Sequence, residues 1–157
     1  MSAPAVTLRP ALSSDAITLW RWRNDPQTRA ASFSADAVEL AAHERWLQET
    51  LGRPDRRLYV AHADGRDVAT ARLDVQGTQA EVSLTVAPEW RGRGIGTHVL
   101  RALVTEAFDA AGLLRLVARV KPDNAASRTA FERAGFTPVP EAGGDGALML
   151  VCERPRT

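Results

Sequence analysis

The stretch that decides the fold is Val82–Thr97, which reads VSLTVAPEWRGRGIGT. Four of its first five residues are apolar or β-branched, which is typical of a strand. Glycines then stand at Gly92, Gly94 and Gly96, and glycine allows a backbone to take positive φ and to approach an anion closely. From Ile95 onward apolar residues recur at steps of three or four, as in an amphipathic helix. The stretch therefore predicts a strand, a tight turn and a helix.

A turn of this kind is suited to binding phosphate. The first amides of a helix have no internal partner, and the helix dipole adds positive potential at that end. Arg91 and Arg93 add positive charge suited to a pyrophosphate. Thr97 stands where a dinucleotide-binding turn would carry its third glycine, and the Gly-Lys-Ser/Thr ending of a nucleoside-triphosphate loop is lacking. An Arg/Gly-rich turn without a ligand is the alternative.

The patterns on either side predict an α/β (α+β) fold, with about four helices and a mixed sheet of six to seven strands. Asp64-Gly65 is a two-residue hairpin signal, and Gly112 and Gly135 end helices. The predicted strands are Val6–Arg9, Arg57–Ala63, Val68–Val75, Glu81–Val86 and Leu114–Val120, with one or two closing strands that include Ala147–Cys152. The predicted helices are Ser13–Trp22, Asp36–Thr50, Gly94–Ala111 and Asn124–Ala134.

Composition narrows the class of protein. The 157 residues suit one domain, 1–157, and the net charge of +1 gives no argument for nucleic acid or membrane binding. No apolar run approaches the ~20 residues of a membrane helix, and the N-terminus lacks the features of a signal peptide, so we expect a cytoplasmic protein. Cys152 is the single cysteine, and His43, His62 and His98 are far apart, so we expect no metal.

A second motif lies downstream, in the segment Leu116–Phe136. A strand is followed by Asn124 and Ser127 in an Asn-x-x-Ser pattern, then by Phe131 and a Gly-Phe pair. Together with the Arg-x-x-Gly-x-Gly turn of Arg91–Gly96, this arrangement resembles the GNAT superfamily of N-acetyltransferases.

The resemblance implies acetyl-CoA as the cofactor and a primary amine as the acceptor. It also implies a sheet that opens between the strands Glu81–Val86 and Leu114–Val120, with the pantetheine arm in the opening. The residues implied to bind the cofactor are Leu84, Thr85, Val86, Arg91, Gly92, Arg93, Gly94, Ile95, Gly96, Thr97, Asn124 and Ser127.

The resemblance also suggests catalytic residues. Glu81, at the start of the cofactor strand, is our candidate base for deprotonating the amine, directly or through a water, although a solvated carboxylate is an equal alternative. A backbone N–H near Val86 would stabilise the developing oxyanion. Phe131 stands where many relatives carry a tyrosine that protonates the leaving thiolate, so Ser127, Tyr59 or a water remain open for that task.

The acceptor site is expected in the N-terminal third. A Trp-Arg-Asn-Asp-Pro run, a Ser-Phe pair and a His-x-x-Trp pattern resemble the branch that acetylates nucleotide-linked 4-amino sugars in pseudaminic-acid-type biosynthesis. The alternatives are a protein N-terminal acetyltransferase of the ribosomal-protein type, an enzyme that acetylates antibiotics, polyamines or other small amines, and a catalytically silent acyl-CoA-binding module. Both a monomer and a homodimer are compatible with the sequence. The candidate acceptor residues are Trp22, Arg23, Asn24, Arg29, His43 and Trp46.

Overall fold

The structure is a computed structural model that describes residues 5–34, 36–140 and 146–155. Its strands form one sheet of seven, in the order β1-β2-β3-β4-β5-β7-β6, which confirms the predicted fold class. The strands are β1 (Thr7–Pro10), β2 (Arg56–Ala63), β3 (Arg66–Gln76), β4 (Gln79–Val86), β5 (Arg115–Val120), β6 (Thr137–Val139) and β7 (Leu148–Glu153).

Five α-helices accompany the sheet in the described ranges. A π-helical turn at Glu106–Ala110 continues the fourth helix, and single 3₁₀ turns lie at Ser13–Asp15 and Pro88–Trp90. The helices are α1 (Ala16–Asn24), α2 (Pro26–Ala31), α3 (Leu40–Leu51), α4 (Ile95–Thr105) and α5 (Ala125–Arg133).

Two details of the N-terminal third differ from the prediction. The second predicted helix was placed from Asp36, but α3 begins at Leu40. The Asn24 amide accepts from the Val38 N–H at 2.8 Å and donates to the Val38 carbonyl at 2.7 Å, which ties this segment to the end of α1. The helix α2 is not among the predicted helices. Proline, here Pro26, is favoured at the first position of a helix, and Asp25 caps α2.

The sheet opens between β4 and β5. These parallel strands pair only at Gln79 with Arg115, Ala80 with Leu116 and Glu81 with Val117. Beyond that point β4 continues against β3, while β5 continues against β7. One edge of residues 82–86 therefore has no partner strand in the described chain, which confirms the predicted opening.

The two faces of the sheet carry different helices. The helix α4 packs on one face, and at Gly96 an added Cβ would lie 3.5 Å from Leu84 Cδ2 and 3.7 Å from Val86 Cγ2. Side chains alternate along a strand, so Ser83 and Thr85 point to the other face, towards α1 and α3. Within the described residues, no helix combines the length and the apolar character needed to cross a bilayer.

Candidate active site

A cavity of about 850 Å³ occupies the opening between β4 and β5, and we call it the β4–β5 cleft. Its walls come from the free edge of β4, the glycine-rich turn, the start of α4 and the start of α5. Of the residues predicted to bind the cofactor, all except Arg93 line it: Leu84, Thr85, Val86, Arg91, Gly92, Gly94, Ile95, Gly96, Thr97, Asn124 and Ser127.

The turn that leads into α4 depends on glycine conformation. Gly92 and Gly94 both have φ of +74°, and Gly94 is the N-cap of α4. No heavy atom lies within 4 Å of a Cβ added at either position, so the requirement is for positive φ and not for space. Because α4 begins at the cleft, its unpaired N–H groups open into it. These features fit coenzyme A, with an extended arm along the free strand edge and a phosphate at the turn.

Arg91 is held by the start of α2. Its Nη2 lies 2.7 Å from Asp25 Oδ2 and donates to Thr28 Oγ1 at 2.5 Å, while Nη1 donates to Gln27 Oε1 at 3.2 Å. Burial raises the pKa of the Asp25 carboxyl, but hydrogen bonds from Arg91 and from the Thr28 and Gln27 N–H groups outweigh this and leave the pKa below its ordinary value. The Asp25–Arg91 pair is therefore ionised at neutral pH.

Arg93 has a different environment. Its guanidinium carbon lies 5.0 Å from the centroid of the Trp90 ring, a cation–π distance, and Arg93 is not among the residues that line the cleft. Trp90, which the sequence analysis did not single out, is buried and lines the cleft.

A second cavity, of about 340 Å³, lies between the sheet and the helices α1 and α3, and we call it the α1–α3 cavity. It shares part of its wall with the β4–β5 cleft, so the two spaces adjoin at β4. The shared residues are Arg23, Arg72, Ser83, Leu84 and Thr85. The other lining residues are Leu19, Val38, His43, Trp46, Leu58, Thr70 and Ala71.

Two polar atoms of residues that line the α1–α3 cavity are buried and have no hydrogen-bond partner among the described residues. They are Nη1 of Arg23 and Nδ1 of His43. The other terminal nitrogen of Arg23, Nη2, donates to the Ser34 carbonyl at 2.7 Å. Burial and the positive charge of Arg23 lower the pKa of His43, against a smaller raising effect of Glu44, so the imidazole is neutral at pH 7. The cavity thus presents an unsatisfied cationic donor beside a neutral imidazole.

The same cavity has a second arginine that the sequence analysis missed. The Arg72 guanidinium donates from Nε to Asp74 Oδ2 at 3.2 Å and lies 5.7 Å from the Trp46 ring centroid. Trp46 in turn lies 5.3 Å from the His43 ring. The alternation of polar and apolar residues along β3 could have identified Arg72. Polar Thr70 and Arg72 alternate with buried alanine and leucine, so both polar side chains lie on the same face of the strand.

Three of the predicted acceptor residues line neither cavity. Trp22 is 6% exposed and belongs to the hydrophobic core. Asn24 makes the paired hydrogen bonds to Val38 that hold the segment before α3. Arg29 lies in the last turn of α2. Arg23, His43 and Trp46 are the candidates that the structure brings together.

The predicted catalytic residues lie in different surroundings. Ser127 lines the β4–β5 cleft, and its N–H donates to Asn124 Oδ1 at 3.1 Å, the N-cap of α5. Glu81 lines neither cavity; its side chain is 41% exposed, and Oε1 lies 3.8 Å from Nη1 of Arg119, which lines the cleft. Phe131 is buried edge-on against Phe136, with ring centroids 5.0 Å apart.

Metal chemistry has no candidate in the part of the chain that the structure describes, since no three His, Cys, Asp or Glu side chains lie together there.

Comparison with known proteins defines the class. Residues 5–137 match the family described as the acetyltransferase (GNAT) domain. The chain belongs to this family of GNAT acetyltransferase domains. The resemblance stated from the two motifs is confirmed at the level of the superfamily.

Individual relatives agree with this class. The acetyltransferase Pat of Mycolicibacterium smegmatis is 40% identical over 111 residues, which cover 69% of this chain and 30% of that protein. A structure of AAC(6')-Ib in complex with paromomycin and acetyl-CoA has a TM-score of 0.85 at 22% identity, covering 96% of this chain and 94% of the other. A spermidine N-acetyltransferase SpeG chimera from Vibrio cholerae and hSSAT has a TM-score of 0.84 at 15% identity, covering 95% of each chain. At these identities the two structures share the fold with this chain.

Proposed function

We propose that this domain transfers the acetyl group of acetyl-CoA to the primary amine of a small molecule that also carries an anionic group. A nucleotide-linked 4-amino sugar is the member of this class that the N-terminal motifs favour. The observation that carries the proposal is the buried, unpartnered Nη1 of Arg23 at the α1–α3 cavity. A buried donor without a partner is costly, and a phosphate or carboxylate on the acceptor would satisfy it.

The charge of the cavity supports an anion-bearing acceptor. Arg23 and Arg72 line it, and none of the described residues that line it is acidic. An aminoglycoside or a polyamine such as spermidine carries several positive charges at neutral pH and would be repelled by such a wall. We therefore expect a different acceptor class from those named for the two structural neighbours.

The other walls suit a sugar. A volume of about 340 Å³ is at the lower end of the range of ligand pockets, and it adjoins the larger cleft. Trp46 offers an aromatic surface on which a ring can pack. The neutral imidazole of His43 can accept a hydrogen bond from a hydroxyl group, which would give its buried Nδ1 a partner.

The chemistry requires an unprotonated amine, and a lysine-like amine has a pKa of ~10.4. Acetyl-CoA, when bound, supplies the acetyl group as a thioester. The amine nitrogen bonds to the carbonyl carbon as the carbon–sulfur bond breaks, and the thiolate leaves. Because a thiol has a pKa of ~8.5, this departure needs no strong acid.

For proton transfer we propose Glu81 and Ser127. Glu81 stands at the last paired position of β4 and β5, and it accepts the amine proton through a water, since its side chain is half-exposed and lies outside both cavities. Ser127 lines the β4–β5 cleft and donates to the leaving sulfur. The free edge of β4, up to Val86, supplies main-chain N–H groups for the developing oxyanion.

The proposal is tested by following thiol release from acetyl-CoA against a panel of amines. The panel holds a nucleotide-linked 4-amino-4,6-dideoxy sugar, the free sugar, N-terminal peptides, an aminoglycoside and spermidine. We expect turnover on the sugar nucleotide. Turnover on peptides alone would assign the domain to protein N-terminal acetylation, and acetyl-CoA binding without turnover on any amine would favour a silent binding module.

A further inference from the structure

The helix α2 and the residues after it bridge the two sides of the β4–β5 cleft. On the β4 side, Asp25 and Thr28 bind Arg91. On the β5 side, Lys121 Nζ donates to the Ala30 carbonyl at 2.9 Å. Residues 27, 28 and 31–33 line the cleft directly. The same short segment therefore contacts the cofactor turn at one end and the end of β5 at the other.

The hydrogen bonds of Arg91 limit what else it can bind. A guanidinium group has five N–H donors. It binds a phosphate with two parallel hydrogen bonds through one of two edges, either Nε and Nη2 or Nη1 and Nη2, so both edges include an Nη2 hydrogen. The Nη2 atom, which both edges share, donates to Thr28 Oγ1 at 2.5 Å and forms an ion pair with Asp25 Oδ2 at 2.7 Å. Arg91 therefore cannot grip a phosphate with two parallel hydrogen bonds until it releases one of these partners.

Charge decides which partner is released. Asp25 is an ionised carboxylate, and its side chain is only 19% exposed in the pair. A pyrophosphate on the same guanidinium would face this carboxylate at short range, and like charges at such distances repel strongly where water is partly excluded. Thr28 is neutral and causes no such repulsion. Asp25 has other partners to retain, the N–H groups of Gln27 and Thr28, each at 3.1 Å.

We propose that Arg91 exchanges Asp25 for the pyrophosphate of coenzyme A, so that Asp25 sets the affinity for the cofactor. The inference rests on the proposed use of acetyl-CoA and gives a role to Asp25, which lies in the Trp-Arg-Asn-Asp-Pro run and outside the two motifs of the cofactor site. The exchange also links the cofactor site to the proposed acceptor site. Release of Asp25 removes a contact that holds α2, and α2 directly follows the end of α1 that carries Arg23. Binding of coenzyme A is therefore opposed by the pair that fixes α2 in the free protein.

The test is the dissociation constant of coenzyme A, measured by titration calorimetry for wild type and for Asp25→Asn. Asparagine is also a good N-cap, so this substitution keeps the hydrogen bonds to α2 and removes only the charge. We expect the dissociation constant to fall by about two- to fivefold, since Arg91 no longer has to leave an ion pair. Asp123→Asn, the same change of charge beside the N-cap of α5, is the matched control and should have little effect.

A double mutant isolates the pair. With Arg91→Gln as background, Asp25→Asn should no longer tighten binding. A dissociation constant that is unchanged or higher in the Asp25→Asn single mutant would overturn the exchange and leave Asp25 as a helix cap or as a positioning residue for Arg91. Failure of the wild-type protein to bind coenzyme A would instead contradict the proposed function, so the two failures are distinguishable.

Discussion

Glu81 of β4 and Arg119 of β5 lie 3.8 Å apart, between Oε1 and Nη1, across the point at which the sheet opens. Glu81 is the last residue of β4 that pairs with β5, and Arg119 lies two residues beyond its partner Val117. The guanidinium of Arg119 also lies 4.9 Å from the Phe33 ring centroid. This pair places a carboxylate at the head of the β4–β5 cleft and next to a residue that lines it.

The first prediction concerns this carboxylate. Glu81→Gln should lower kcat by about 10²–10⁴-fold, the usual contribution of a positioned base, while the affinity for coenzyme A stays within about twofold. Glu153→Gln removes a carboxylate that pairs with Arg115 at the far end of β5, and it should leave kcat unchanged. Full activity of Glu81→Gln in steady-state assays would remove Glu81 from the mechanism.

The second prediction concerns the acceptor. Arg23→Gln should raise KM for the sugar nucleotide by about 10–100-fold, which corresponds to the loss of one or two charge-assisted hydrogen bonds. KM for acetyl-CoA should change little. Arg21→Gln, on the exposed face of the same helix, is the matched control. An equal effect of both substitutions would mean that charge in general, and not Arg23, attracts the acceptor.

The third prediction separates backbone strain from cofactor binding. Gly94→Ala and Gly77→Ala both place a Cβ at positive φ, +74° and +65°, in open space. Both should therefore destabilise the fold by about 1–2 kcal/mol in denaturant unfolding. Only Gly94→Ala should also weaken binding of coenzyme A, since Gly77 lies in the turn between β3 and β4. A similar loss of binding in both variants would indicate a global effect.

The extent of sequence-based prediction differs between the two cavities. The Gly92–Gly96 turn and its helix were predicted because glycine punctuation and helical periodicity are local signals. The β4–β5 cleft follows from that turn, and all but one of its predicted residues line it. The exception is Arg93, whose guanidinium lies over the Trp90 ring. The spacing of residues in a turn does not show which way each side chain points.

The α1–α3 cavity was less predictable because it is assembled from segments that are distant in sequence. Trp22 and Trp46 were both candidate acceptor residues, yet Trp22 is buried in the core and Trp46 lies at the cavity. Arg72 lies on β3, and the face of the sheet to which its side chain points depends on how β3 pairs with β2 and β4. The Asp25–Arg91 pair likewise joins α2 to the cofactor turn, a long-range contact that no local pattern encodes.

The fourth prediction concerns stability and pH. Arg9 donates to both oxygens of the buried Asp15 carboxylate at 2.8 Å, and the Leu12 N–H donates to it at 2.8 Å. The hydrogen bonds from Arg9 outweigh burial and hold the pKa of Asp15 below 3.8. Asp15→Asn should therefore lower the free energy of unfolding by about 1–3 kcal/mol at pH 7.

The sign of the pH dependence follows from this lowered pKa. The unfolded carboxyl binds its proton near the ordinary pKa, and the folded one only at lower pH, so the stabilisation is complete above about pH 5. It is lost as the pH falls below 3.8 towards the folded pKa, and the difference between wild type and variant should shrink there. Asp55→Asn, in an exposed pair with Arg53, is the control and should show a smaller effect. A difference that persists unchanged at pH 3 would contradict the ion-pair explanation.

The most direct test of the central claim compares an acceptor that carries a nucleotide, with its anionic phosphate groups, with the same acceptor lacking the nucleotide. The measurement is kcat/KM for acetyl transfer to a nucleotide-linked 4-amino sugar and to the same sugar without the nucleotide. We predict a ratio of at least about tenfold in favour of the linked sugar, which falls towards one in Arg23→Gln. Equal values for the two acceptors in the wild-type protein, or a preference for spermidine or an aminoglycoside, would contradict the account.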